Sequence, residues 1–384
     1  MLKKIALLHF YLALLSVYYI EAKAQEFKHS IYVGQVSPLT GPAASIGIPL
    51  TQGAALVARK VNKQGGINGG KLVLIDKDDA FDAKRTVEHV QSLLAEKSKP
   101  VVALINVVGS PNSGDLVSQG ILKTNDLSLV GAFTGSTSVR EMKSPHVYFI
   151  RPGVEGEAEH IVNHFVTLGL ERIALVHPED TFGRDALAQM TKALKARKLD
   201  LAGVGTYAPA TTDVSRAVSV MIEKSPQAIA IFATGAASAK FIASFRERGG
   251  GAMLTTSSST SGDHLIKALA KEQSRGVGVL QVVPPLYKVA VPLVKEYLQA
   301  LQQHGEPGWT PSAYGLEGYA TAKVLVTALS RVQGAPTASN VSQAMSRLGV
   351  VDLGGMSLDF SKGRLEGAQR VEIGVIASEG RLRN

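Results

Sequence analysis

The sequence predicts an α/β protein built as two doubly wound lobes, and three observations carry that expectation. Strand-like and helix-like patterns alternate through most of the 384 residues. The strand-like runs are short and mostly apolar, as in Pro100–Val108, the pattern of strands covered on both faces. The alternation also breaks and restarts, at Arg151-Pro152-Gly153 and again at Val282-Val283-Pro284-Pro285. Alternation of this kind implies parallel strands joined by right-handed helical crossovers. Two series of about 120 residues each imply two sheets rather than one very wide sheet.

In the first series, strand Ser30–Val36 precedes helix Pro49–Gln64, and strand Lys71–Asp76 precedes helix Ala83–Lys97. In that helix Val87, Val90 and Leu94 share one face. Strands Pro100–Val108, Leu127–Gly131 and Val147–Ile150 follow. After the first break, helix Glu157–Leu168 leads to strand Arg172–His177, helix Arg184–Ala196 and strand Leu201–Tyr207. Helix Val214–Glu223, strand Ala228–Ala233, helix Ala236–Arg248 and strand Ala252–Thr256 complete the second series. Beyond the second break come helices Val291–Gln303, Tyr314–Val332 and Ala338–Arg347, then strands Gly355–Phe360 and Val371–Ala377. Long helices followed by a late pair of strands imply that the chain crosses between lobes more than once. Two or three parallel crossings make a hinge, and a hinge makes a cleft that closes on a ligand.

Composition narrows the function. Hydrophobic residues make up 45% of the chain and charged residues 19%, which supplies a core and excludes a disordered tail or a coiled coil. Aromatic residues, at 6%, are too few for a stacking platform for single-stranded nucleic acid. The run Lys195-Ala196-Arg197-Lys198 sits at a helix end, where cations oppose the helix dipole, and is no nucleic-acid motif. Cysteine is absent, which removes disulfides, thiolate nucleophiles and Cys-ligated metals.

Residues 1–24 read as an export signal. Lys3 and Lys4 precede a mostly apolar stretch from Ile5 to Ile20, and Ala22-Lys23-Ala24 is a small–x–small cleavage site before Gln25. The stretch carries His9 and stops at Glu21, short of the ~20 apolar residues of a membrane span. Removing it takes away three lysines and one glutamate, so the full chain's charge of +9 becomes +7.

Several apparent motifs fail on context. Gly65-Gly66-Ile67-Asn68-Gly69-Gly70-Lys71 has the glycine and lysine spacing of a phosphate loop, but Leu72 and a strand follow where Ser or Thr and a helix are required. It reads as a helix C-cap and turn. Gly203-Val204-Gly205 and Gly276-Val277-Gly278 lack a third glycine for a dinucleotide fingerprint. Neither HExxH nor GxSxG occurs. His160 and His164 share a helix face without an evident third ligand. No catalytic residue, cofactor or metal is therefore expected.

Binding-type loops remain. In a doubly wound sheet, ligands sit beyond the carboxyl ends of the strands, near helix N-termini. Strand Pro100–Val108 ends in Gly109-Ser110-Pro111, where Ser110 reads as an N-cap and Pro111 as the first helical residue. Strand Leu127–Gly131 leads to Thr134-Gly135-Ser136-Thr137-Ser138. Amides and hydroxyls from these two loops suit a carboxylate without any basic side chain. Asp180-Thr181-Phe182-Gly183, after strand Arg172–His177, faces the cleft from the second lobe.

The segments GQVSPLTGPAASIG (34–47), GAALVARKVNKQGGINGGKLVLIDKDDAFD (53–82), GSPNS (109–113), GAFTGSTSVRE (131–141), RIALVHPEDTFGRD (172–185) and YGLEGYATAKVLVTAL (314–329) together span the exported chain. They resemble the type I periplasmic solute-binding proteins of ABC importers, in the branched-chain amino-acid (Leu/Ile/Val) group. The resemblance implies two Rossmann-like lobes joined by a three-crossing hinge, with lobe I at 25–150 plus 285–352 and lobe II at 151–284 plus 353–384. It implies a monomeric periplasmic receptor that hands a small carboxylate-bearing solute to membrane permease subunits, with no cofactor and no nucleic-acid partner. A ligand-sensing receptor for a signalling system is the alternative.

Carried over residue by residue, the family's carboxylate site falls on Gly109, Ser110, Thr134, Gly135 and Ser136, the first-loop position on Ile46, and the second-lobe aromatic on Phe182. Where relatives place a tyrosine, this chain has Gly235-Ala236. The Thr255–Ser261 stretch, with Ser258 at its centre, offers no acidic anchor for an ammonium group. Glu155, Glu157 and Asp180 are the acidic alternatives. An organic acid with an apolar or aromatic body is therefore expected to bind better than leucine. As a first test, the exported protein should have an intact mass that begins at Gln25; retention of residues 1–24 would refute the export reading.

Overall fold

The computed structural model describes residues 27–383, so the expected export signal at 1–24 lies outside the described residues. The first unit runs β1 (His29–Ser37), α1 (Ala44–Lys63), β2 (Gly70–Asp78), α2 (Ala83–Ala95), β3 (Val101–Ile105), α3 (Ser110–Ser118), β4 (Ser128–Val130), α4 (Thr137–Glu141) and β5 (Val147–Tyr148). A first crossing leads to α5 (Val154–Thr167), β6 (Ile173–Pro178), α6 (Thr181–Lys195), β7 (Gly203–Tyr207), α7 (Ser215–Lys224), β8 (Ala228–Ile231), α8 (Gly235–Glu247), β9 (Met253–Thr256), α9 (Gly262–Ala268) and β10 (Gly278–Gln281). A second crossing brings α10 (Pro292–His304), α11 (Ala313–Ser330), α12 (Ala338–Ser346) and the hairpin β11 (Val350–Asp352) and β12 (Ser357–Asp359). The chain then crosses a third time to β13 (Glu372–Ile376) and β14 (Leu382–Arg383).

The expected fold class is the one observed. The first sheet has the order β2-β1-β3-β4-β5 and is wholly parallel. The second has the order β14-β13-β10-β9-β8-β6-β7, parallel from β10 to β7 and closed by the antiparallel β13 and β14. All five residues of β3 and all four of β8 are buried, as helices on both faces require. Each sheet lies between two apolar clusters of its own, which is why the chain divides into lobes.

The crossings lie side by side. Phe149 N donates to Leu365 O and Gly367 N donates to Phe149 O, which pairs the first crossing with the third. The antiparallel β10–β13 ladder brings the third beside the second.

Among the differences from the sequence reading, three bear on the site and the lobes. Helix α1 begins at Ala44, so Pro49 is inside it and Ile46 is on its first turn rather than in a loop. Strand β10 was not expected; its four apolar-rich residues merge into the Val282–Pro285 break. The segment 353–368, assigned from sequence to lobe II, packs in the first lobe's core through Leu353, Met356, Leu358, Phe360 and Ala368. Its hairpin partner β11 is only three residues long and too brief to read, so the expected boundary cut through the hairpin. The Gly65–Gly70 stretch is the expected turn, with Gly65 and Gly66 at positive φ and an Ile67–Gly70 bridge.

Helices α1 and α11 approach closely because glycines face each other. A Cβ on Gly53 would lie 1.9 Å from Gly315 O, and one on Gly318 would lie 2.0 Å from Leu50 O. Gly318→Ala gains roughly 1 kcal/mol of helix propensity. The backbone clash should outweigh that, for a net loss of roughly 1–3 kcal/mol, the usual scale of overpacking. Denaturant unfolding measures it, and an unchanged or raised midpoint would show that the contact is not tight.

Candidate functional site

The carboxyl ends of β3 and β4 do not diverge. Phe133 N donates to Val107 O at 2.8 Å and Gly109 N to Phe133 O at 3.2 Å, which continues the pairing past both strands. Gly109, with φ of 115°, turns the chain into α3. Gly109 is thus the N-cap and Ser110 the first helical residue, one position earlier than the sequence suggested. The extended pairing sets the Ser110 and Thr134 hydroxyls 2.7 Å apart, both buried. Ser136 N donates to Thr134 Oγ1 at 3.0 Å.

From the second lobe, β6 runs into Asp180, which caps α6 by accepting from Gly183 N at 2.9 Å. Phe182, on the first turn, packs against Phe232 with ring centroids 6.1 Å apart. Between the lobes lies a slot of about 50 Å³ lined by Ile46, Gly109, Ser110, Thr134, Gly135 and Phe182 from the expected set. Phe81, Val108, Phe133, Pro178, Asp180, Tyr207, Ala210, Thr211, Thr234 and Ser259 complete its walls.

Three expected residues do other work. Ser136 Oγ donates to the Asp185 carboxylate across the cleft and accepts from Val139 N as the N-cap of α4. Asp185 also accepts from Ser138 N at 3.0 Å and Ser138 Oγ at 2.6 Å, so it latches the two lobes. Ser258 is held in the hinge by Glu157 and Arg151. Gly235 opens α8 with its Cβ direction blocked by the His264 ring at 2.8 Å; the preceding Thr234 is what reaches the slot.

Phe81 escaped the sequence reading because its placement needs a strained loop. Ala80 and Phe81 both have positive φ, at 49° and 67°. Asp78 accepts from Leu39 N, Thr40 N and Ala80 N, and Asp79 accepts from Phe81 N. Burial opposes the Asp78 charge, but the hydrogen bonds from Thr40, Ala80 and Leu39 outweigh it and hold its pKa down at about 2. Asp79 is fully buried against Thr86 and Asn112, and burial pushes its pKa up. The Asp78-Asp79 pair is the legible signal for this loop.

Of the acidic alternatives for an ammonium anchor, only Asp180 lines the slot. Glu155 is exposed and paired with Lys192. Glu157 is buried in the hinge with Ser258. Burial raises the Asp180 pKa against the opposing effects of Gly183 N and Arg184. Among the described residues no group of three or more His, Asp or Glu side chains is placed to hold a metal.

Two parallel-sheet lobes on a triple crossing, with strand-end loops meeting across a slot, define a bilobed solute-binding protein. The chain matches the periplasmic binding protein family over residues 30–379 and belongs to it. Several of the curated relatives that it matches carry Leu/Ile/Val-binding names. It is 23% identical to a Leu/Ile/Val-binding protein homologue of Brucella melitensis, over 82% of this chain and 83% of that protein. The crystal structure of a substrate-binding periplasmic protein from Ralstonia solanacearum superposes with a TM-score of 0.88 at 32% identity, covering 92% of this chain and 99% of the other. The isoleucine complex of the branched-chain amino-acid binding protein LivJ from Streptococcus pneumoniae shares the fold, with a TM-score of 0.79 at 15% identity over 92% and 98% of the two chains.

The latch generates a test. Asp185→Ala removes the acceptor for Ser136 and Ser138 and should shift the ligand-free protein towards open lobes. Small-angle scattering should record a larger radius of gyration than for the parent. An identical radius would remove Asp185 from the control of closure.

Proposed function

We propose that this protein captures a small carboxylate-bearing solute in the interlobe slot and delivers it to the permease subunits of an ABC importer. It acts as a monomeric receptor in the periplasm and binds its ligand without turnover. The observation that carries the ligand class is the Ser110–Thr134 hydroxyl pair at the N-terminus of α3, on the wall of the slot. Helix N-termini and hydroxyl donors favour an anion there. Ile46, Phe81, Phe133 and Phe182 offer an apolar body its contacts.

The second-lobe wall sets the preference within that class. An α-ammonium buried without a partner costs several kcal/mol. Asp180 is the single carboxylate on the slot wall, and its Oδ1 already caps α6. A simple organic acid with an apolar or aromatic body fits this balance better than an amino acid. The Leu/Ile/Val-binding name of the Brucella relative marks the competing choice.

Calorimetry against leucine, isoleucine and aliphatic and aromatic monocarboxylates decides between them. The acids should bind more tightly; tighter leucine binding that Asp180→Asn abolishes would assign an amino acid instead. With the tightest acid, Ser110→Ala should cost roughly 1.5–3 kcal/mol, the scale of a hydrogen bond to a charged group. An unchanged affinity would move the carboxylate elsewhere.

A further inference from the structure

The larger cavity is not the one where the strand-end loops converge. A cavity of about 640 Å³ opens beside the second crossing, within the size range of small-molecule sites. One layer of side chains separates it from the slot. Phe133 lines the slot and packs edge-on against Tyr314, which lines the larger cavity, at 5.7 Å between ring centroids.

Its walls are apolar at Ile266, Leu286 and Leu298, and acidic at Asp263 and Glu317. Glu317 is 4% exposed and lines the cavity. Its charged neighbour is Arg151, whose Nε stands 3.5 Å away and makes no hydrogen bond itself. Asp263 accepts one bond, from Ala313 N at 2.9 Å. Both carboxylates line the cavity and keep acceptor capacity for a donor placed in it. The cations at the mouth are engaged elsewhere or stand at its edge. Arg383 is held by Glu379, and Arg381 is exposed at the rim.

We propose that this cavity is a second ligand site, distinct from the interlobe slot, which takes a primary ammonium compound with a small apolar body. The ammonium group donates to Glu317 and Asp263, and the body lies against Ile266, Leu286 and Leu298. Glu317 and Leu298 belong to the first lobe and Ile266 and Asp263 to the second, so a molecule bound here touches both lobes.

The probes are 2-phenylethylammonium, the neutral 2-phenylethanol and the anionic 3-phenylpropanoate, titrated into the mature protein by calorimetry and mapped by hydrogen exchange. The ammonium should bind at least about tenfold more tightly than the alcohol, the scale of one charge-assisted hydrogen bond. It should slow exchange at 279–287 and 311–317. Ile266→Trp, which fills the cavity and leaves the hinge charges intact, and Glu317→Gln should each weaken it about tenfold or more. Phe182→Ala, in the separate slot, should change it by less than about twofold. Should Glu317→Gln fail to fold, Ile266→Trp alone carries the decision. Equal binding of ammonium and alcohol, protection confined to 108–111 and 133–136, or no ammonium binding at millimolar concentration would each overturn the site.

Discussion

The Arg151 guanidinium is the charge around which the two lobes are arranged. It sits in the first crossing and is 1% exposed. It donates to Ser258 O at 3.1 Å and Ser258 Oγ at 2.6 Å in the second lobe, and faces Glu317 of the first. Its face lies 3.8 Å from the centroid of Phe133, a wall of the slot. Glu157 completes the network by holding Ser258 from the other side. Buried charges of this kind add little net stability, but removing one partner strands the rest, so the arrangement resists partial change. Arg140 extends it. Its guanidinium donates to Thr134 O and Arg151 O, pairs with Glu366 of the third crossing, and stacks on Phe149. Two arginines therefore tie the crossings to the loop that carries Thr134.

This explains which parts of the site were legible. Ser110 and Thr134 stand at strand ends, and local sequence identifies a strand end through the apolar run before it and the cap after it. The two lie 24 residues apart, yet parallel pairing of β3 and β4 is enough to bring their hydroxyls together. Ser136 belongs to the same hydroxyl run, and nothing local separates it from Thr134. Its role is fixed by Asp185, 49 residues away in the other lobe. Ser258 was misread for the same reason, since its partners Arg151 and Glu157 are more than 100 residues distant. Tyr207 ends one expected strand and Thr234 follows another, but their approach to the slot depends on the lobe angle, which no local pattern encodes.

The fold itself was more legible because its signal is repeated. Each βα unit states the same alternation, so an error of a few residues at α1 or β3 leaves the topology intact. Boundaries between lobes have no such redundancy. Hairpin β11–β12 buries Val351 and Leu358 on the first lobe while their neighbours in the strands are exposed or half-buried. Three-residue strands of this kind are shorter than the window in which period-two alternation is read.

Hinge and latch use different chemistry, and the difference bears on how the protein works. The hinge is held by the buried charges of Arg151, Glu157 and Glu317. The lobes meet in front of it through Asp185 with Ser136 and Ser138, and through Tyr314, whose hydroxyl accepts from Ser261 N and donates to Ser259 O, both at 2.8 Å. Such hydrogen bonds exchange with water when the lobes part, so each biases closure by only about 1 kcal/mol or somewhat more where a carboxylate accepts. A bias of that size leaves open and closed forms within reach of a ligand's differential affinity. The buried hinge ties the crossings together, the latch leaves the balance of open and closed lobes adjustable, and the solute proposed for the slot would contribute the deciding free energy.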